Sequence, residues 1–141
     1  MVVETVSRKK GDSIMVYTVL SKKSLDQVCA DLEVAVPAHK FGLIGKHDLR
    51  QTMAKKGVAF DRECRVYEVC NPHQAKKVLE AKMEISTALP CRISVYEEGG
   101  KVVLATIKPE KMLGMYDVPS LAPVASEVEQ SMMAIMKDAA G

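Results

Sequence analysis

Apolar residues alternate with polar ones in some stretches of the chain and recur every three or four residues in others, and the two regimes take turns from residue 14 onward. IMVYTVLS (14–21) is β-branched and apolar between GDS and KK, which predicts a first strand. In the SKKSLDQVCADLEVAV that follows, Leu25, Val28, Cys29, Leu32 and Val36 fall on one helical stripe. Ser24 stands at the N-cap with Gln27 three residues on, as in a capping box, and Pro37 is expected to end the helix. FGLIGKH (41–47) predicts a short second strand whose glycines mark a bulge or a close backbone approach. DLRQTMAKKG (48–57) predicts a short helix capped by Asp48, boxed by Gln51 and stopped at Gly57.

ECRVYEVCN (63–71) reads as a third strand, and PHQAKKVLEAK (72–82) as a helix with Ala75, Val78 and Leu79 inward. MEISTALP (83–90) is a helical turn or a loop. The clearest local signal is CRISVYEEGGKVVLATIKP (91–109), in which two alternating strands flank Gly99-Gly100, a pair suited to a tight hairpin turn. PEKMLGMYDVPS reads as a loop. A final helix then carries Leu121, Val124, Ala125, Val128, Met132, Ile135, Met136 and Ala139 on one stripe. The order β-α-β-α-β-α-β-β-α predicts an α+β fold: a single-domain two-layer sandwich, with a mostly antiparallel sheet of about five strands packed with helices. The domain is expected over 13–141, preceded by a flexible N-terminal segment, 1–12.

Composition narrows the partners. The 141 residues are 48% hydrophobic and 27% charged, and 20 basic against 18 acidic residues give a net charge of +2. So even a balance argues against nucleic acid and anionic membranes. With 4% aromatic residues and no Trp, a platform for stacking bases is not expected. No apolar run is long enough to span a bilayer, and MVVETVSRKKGDSIM lacks the long apolar region of a signal peptide. The expectation is a cytoplasmic protein with no nucleic-acid or membrane partner, whose four cysteines (29, 64, 70 and 91) are reduced. There is no P-loop, GxGxxG, GxSxG or HExxH.

Candidate chemistry concentrates in CRVYEVCNPH (64–73). Strand alternation puts Cys64, Val66, Glu68 and Cys70 on one face and Arg65, Tyr67 and Val69 on the other. Asn71 suits the N-cap of the next helix, Pro72 its first position, and Gln74 the place where a box closes. Cys70 then stands just outside a helix N-terminus, where the dipole favours a thiolate and burial opposes it. His73 is in the first turn. Cys91 follows Leu89-Pro90; whether it meets Cys70 at one end of the sheet, or lies at the other, is open. His39, His47 and His73 show no i, i+4 pairing. Glu97-Glu98 reads as a solvated hairpin tip. Of nine methionines, Met132 and Met136 are core filler, while Met112 and Met115 flank Gly114 in the loop.

The pairing of EVCNPHQAKKVLE (68–80) with LPCRISVYEEGGKVVLATIKPEKML (89–113) resembles the bacterial and archaeal domain of unknown function 302 family. The upstream FGLIGKHDLRQTMAKKGVAFDRECRVYEVCNP and the C-terminal helix fit the same family, so the resemblance spans about residues 14–139. It implies a small α+β domain that forms homodimers and carries no established activity. It marks Cys70, Asn71, Pro72, Leu89, Pro90, Cys91 and Tyr96 as positions of interest. Association of family members with sulfur or redox metabolism would suit a thiol role.

Three readings follow. The first is a homodimeric module binding a small ligand, a metal or haem near the CNPH and LPC corners. Its ligand candidates are Cys70, Asn71, His73, Cys91, Tyr96 and Glu68; its metal candidates are Cys70, His73, Cys91 and His47. The second is a thiol-based sulfur carrier or enzyme with Cys70 as nucleophile and His73 or Glu68 adjusting its protonation. The third is a protein-interaction domain whose cysteines are core filler.

Overall fold

The computed structural model describes residues 15–141, so the expected flexible segment, 1–12, lies outside the described residues. The first strand is β1 (Val16–Ser21), followed by helix α1 (Leu25–Ala38). Strand β2 (Gly42–Asp48) leads into α2 (Leu49–Lys55), and β3 (Cys64–Cys70) into α3 (Pro72–Ala81). A 3-10 turn over Met83–Ala88 precedes the hairpin of β4 (Cys91–Glu98) and β5 (Lys101–Ile107). Helix α4 (Pro109–Gly114), a short 3-10 turn and helix α5 (Ala122–Ala140) complete the chain. The strands form one antiparallel sheet in the order β1-β5-β4-β3-β2. It is the α+β sandwich that the periodicity predicts.

The caps hold where the sequence places them. Ser24 Oγ accepts from Gln27 N at 3.1 Å, and Asp48 Oδ1 from Gln51 N at 3.0 Å. The return half of the first box is replaced: the Gln27 amide donates to Asp31 Oδ1 at 3.0 Å, one helical turn on. Gly57 and the hairpin pair Gly99 and Gly100 all take positive φ (79°, 61° and 77°), which glycine adopts at no steric cost. The bulge expected in the second strand falls between Leu43 and Gly45.

Two expectations are corrected. Pro37 does not end α1 but sits in its last turn; the helix runs to Ala38, and the chain leaves through Lys40 at φ 68°. A proline this near the end removes a single intrahelical bond, and Phe41 N returns to Val36 O at 3.1 Å to close the helix. The 109–114 segment is helix α4, not loop, with Met112 and Leu113 buried. At six residues it is too short to show a period; its sequence signals are Pro109 at the first position, Glu110 in the first turn and Lys111 in the last.

The inner face of the sheet presents Val19, Tyr67, Val69, Ile93, Val95 and Leu104 to α1 and α5. Helix α1 answers with Leu25, Val28, Leu32 and Val36, and α5 with Val128, Met132, Ile135, Met136 and Ala139. Ser21 Oγ donates to Ala140 O at 2.7 Å, pinning the end of α5 to β1. A smaller cluster of Val78, Ile85, Leu113, Leu121 and Ala125 packs at one end, where α3, α4 and α5 converge. That end holds the site.

Candidate functional site

The antiparallel register pairs Val69 with Cys91, so the end of β3 and the start of β4 lie at the same end of the sheet, with Cys70 one residue beyond Val69 and opposite Gly42 on β2. Of the two arrangements the sequence allows, the structure adopts the one in which the segment over Met83–Ala88 folds back. Asn71 ends β3 and caps α3: its Oδ1 accepts from His73 N at 3.1 Å and from Gln74 N at 3.2 Å, with Pro72 in the first helical position.

Cys70 and Cys91 share the wall of one apolar cavity with Phe41, Leu89, Pro90, Gln74 and Met112. The cavity volume is about 40 Å³, room for roughly three water-sized occupants at ~10–15 Å³ each. A haem, with dimensions nearer the ~300–1,000 Å³ of ordinary cofactor pockets, does not fit in it. Burial pushes the Cys70 thiol above its ordinary value. The Cys91 thiol is pushed up to about 11, first by burial and then by Cys70, with Arg92 opposing. Burial sets the direction at both, and both groups are thiols at neutral pH. The Gln74 amide donates to Glu127 on α5, while its Oε1 is buried with no hydrogen-bond partner.

A family model described as "Domain of unknown function DUF302" matches residues 17–139. The chain belongs to the DUF302 family. The crystal structure of an uncharacterized conserved DUF302 protein from Bacillus stearothermophilus is similar throughout, with a TM-score of 0.83 and 27% identity. The match covers 88% of this chain and 97% of that one. No curated protein matches this sequence.

Within this DUF302 domain the other candidate residues lie away from the cavity. His73 is exposed, and its backbone N–H serves the Asn71 cap. Tyr96 pairs with Cys64 near the hairpin end of β4, five residues along from Cys91. Glu68 lies on the outer face of the sheet, 3.4 Å from His47 Nε2 and 3.4 Å from Arg92 Nη2. Cys29 is buried in the main core, and Cys64 is half-buried with its thiol raised by burial. His39 pairs with Asp138 at 2.7 Å. Among the described residues no group of three or more His, Cys, Asp or Glu is placed to hold a metal ion, and no helix is long and apolar enough to cross a membrane. Sequence reasoning missed Phe41 and Pro109 as wall residues. It read Gln74 only as a cap partner and placed Met112 in a loop.

The outer face explains Gly45. A Cβ there would collide with the Glu68 carboxylate and stand 3.2 Å from Glu68 Cβ. Gly45→Ala is expected to turn Glu68 away from His47 and to destabilise the protein by about 1–2 kcal/mol, in the range of local overpacking. Chemical denaturation of Gly45→Ala beside the Gly45→Ala/Glu68→Ala double variant checks this. If the double variant recovers none of the loss, the clash is not the cause.

Proposed function

We propose that this protein is a non-enzymatic binding module whose site is the thiol-lined cavity at the β3–β4 end of the sheet. The observation that carries the reading is the cavity wall: two thiols kept protonated by burial, in an apolar setting, with no histidine or carboxylate beside them. A nucleophilic cysteine needs the opposite, a lowered pKa with a base in reach. The small volume favours a compact occupant over haem. The homodimer, the cytoplasmic location and the link to sulfur or redox metabolism belong to the same proposal and rest on the family resemblance and the sequence. Light scattering at several concentrations tests the dimer.

The site is tested by native mass spectrometry of wild type and Ala75→Leu, expressed side by side. Ala75 lines the cavity, and a larger side chain fills it. The expected result is a bound mass in wild type that disappears on denaturation and is absent from Ala75→Leu. Identical adduct-free spectra for both would overturn the reading. Against the thiol-enzyme alternative, Cys70 is expected to react with iodoacetamide at pH 7 more slowly than free glutathione, as its raised pKa requires. A faster reaction would restore Cys70 as a nucleophile.

A further inference from the structure

At one side the sheet ends in an open strand. Among the described residues β2 pairs only with β3, so its far edge leaves backbone N–H and C=O groups without a strand partner. Most of its side chains are exposed, Ile44 by 58%. Ile44 is also the residue that the register skips: β3 meets Leu43 and then Gly45, so Ile44 is bulged out of the ladder. Beyond the bulge the pairing is regular, from Gly45 against Glu68 to Asp48 against Arg65. An apolar side chain thus stands in solvent at the start of a regularly paired open edge.

The same stretch runs into a basic hollow. Lys46, His47, Asp48, Lys55 and Arg65 line an open polar depression of about 400 Å³. Glu33 on α1 pairs with Lys46 at 2.8 Å, and Asp26 with Arg65 at 3.0 Å. Lys55, exposed at the end of α2, is the cation of this wall that those two carboxylates leave over. Between residues 42 and 56, Lys46, Arg50, Lys55 and Lys56 stand against Asp48 alone. Two copies of the chain meeting at this edge would bring like charges together, which opposes self-pairing; an acidic strand is the complement.

An open antiparallel edge recognises an extended segment through its backbone, and alternate side chains supply the selectivity. We propose that the β2 edge docks an extended acidic segment of another protein as a further strand of the sheet. The segment's backbone pairs along Gly45–Asp48, an apolar side chain rests on Ile44, and a carboxylate reaches Lys55. The inference does not rest on the cavity, and its failure leaves the binding module standing.

The test is a titration of the nitrogen-15-labelled full-length chain with three heptapeptides, followed by the backbone amide resonances. The first alternates Glu and Val. The second alternates Lys and Val. The third is the acidic peptide methylated on alternate backbone nitrogens, so that it cannot extend a sheet. The acidic peptide is expected to shift the amides of residues 43–48 and to bind more weakly as salt is raised; the other two are expected to leave those amides in place. Ile44→Ser is expected to weaken binding by about tenfold through the lost apolar contact. Lys55→Gln is expected to weaken it by about two- to fivefold, the worth of an exposed ion pair. Both positions are exposed, and circular dichroism confirms that each variant is folded. No shift with the acidic peptide at millimolar concentration, equal binding of the lysine or the methylated peptide, or shifts centred outside β2 would overturn the proposal. So would self-association that Ile44→Ser abolishes in light scattering, since the edge would then belong to a second copy of this chain.

Discussion

Tyr67→Ala is expected to destabilise the protein by about 3–5 kcal/mol, the range for truncating a buried aromatic side chain. Tyr67 is fully buried on β3, the strand next to the β2 edge of the sheet, opposite Ile93 on β4 and Lys46 on β2. Its hydroxyl donates to Glu33 Oε2 on α1 at 3.1 Å, and the same oxygen accepts from Lys46 Nζ at 2.8 Å. One side chain thus joins β3, the β2 edge and the helix layer. Burial, with Cys29 and Glu33 beside it, raises the phenol far above its ordinary value, so the donor stays protonated. A domain of this size has a total stability of roughly 5–15 kcal/mol, and the loss is a large share of it. Tyr67→Phe keeps the ring and is expected to cost about 1 kcal/mol, the net worth of one hydrogen bond. Urea unfolding followed by circular dichroism reads both. A Tyr67→Ala loss under about 1.5 kcal/mol would show that the neighbours collapse into the space and that the ring does not organise the core.

The second large effect is on pH. In the folded chain the Cys91 thiol is pushed from its ordinary 9.0 to about 11. Between those values the folded state holds a proton that the unfolded state has released, so stability falls as pH rises. The contribution is intact below pH 9 and lost through pH 11, and at ~1.36 kcal/mol per unit it amounts to about 2–3 kcal/mol. Cys70, Cys64, Tyr17 and Tyr67 are raised as well and add loss in the same direction. Metal-free wild type and Cys91→Val, unfolded in urea at intervals from pH 8 to 11.5, separate the Cys91 share. The valine variant is expected to lose less on going alkaline. Parallel pH profiles would mean that the thiolate finds water in the folded state.

How much of this was legible in the sequence depends on the range of each interaction. Ser24, Asp48 and Asn71 act on backbone two or three residues away, and all three caps form as read. Gly99-Gly100 folds its own neighbours, and the hairpin appears in register. The stripe of α5 is long enough for its period to be unmistakable, and its residues are the core. The cavity is different. Phe41, Cys70, Cys91 and Met112 are brought together by strand order and helix docking, which no local pattern encodes. Helix α4 was too short to be seen, and with it went the position of Met112. Gln74 shows the same limit: its place in α3 was clear, but its bond to Glu127 is fixed only when α3 packs on α5.

The pairing of β1 with β5 also bears on how the chain is made. Ser21 pairs with Val102, so the first strand finds its sheet neighbour among the described residues roughly 80 residues later. On a ribosome adding about 5–20 residues per second, β1 waits for its β5 partner for roughly 4–16 seconds while the rest of the sheet is synthesised. The β3–β4–β5 meander is contiguous and can pair as it emerges. β1 is therefore the strand exposed longest to other nascent chains, and its apolar VYTVL run is where a holding chaperone would be most useful during synthesis.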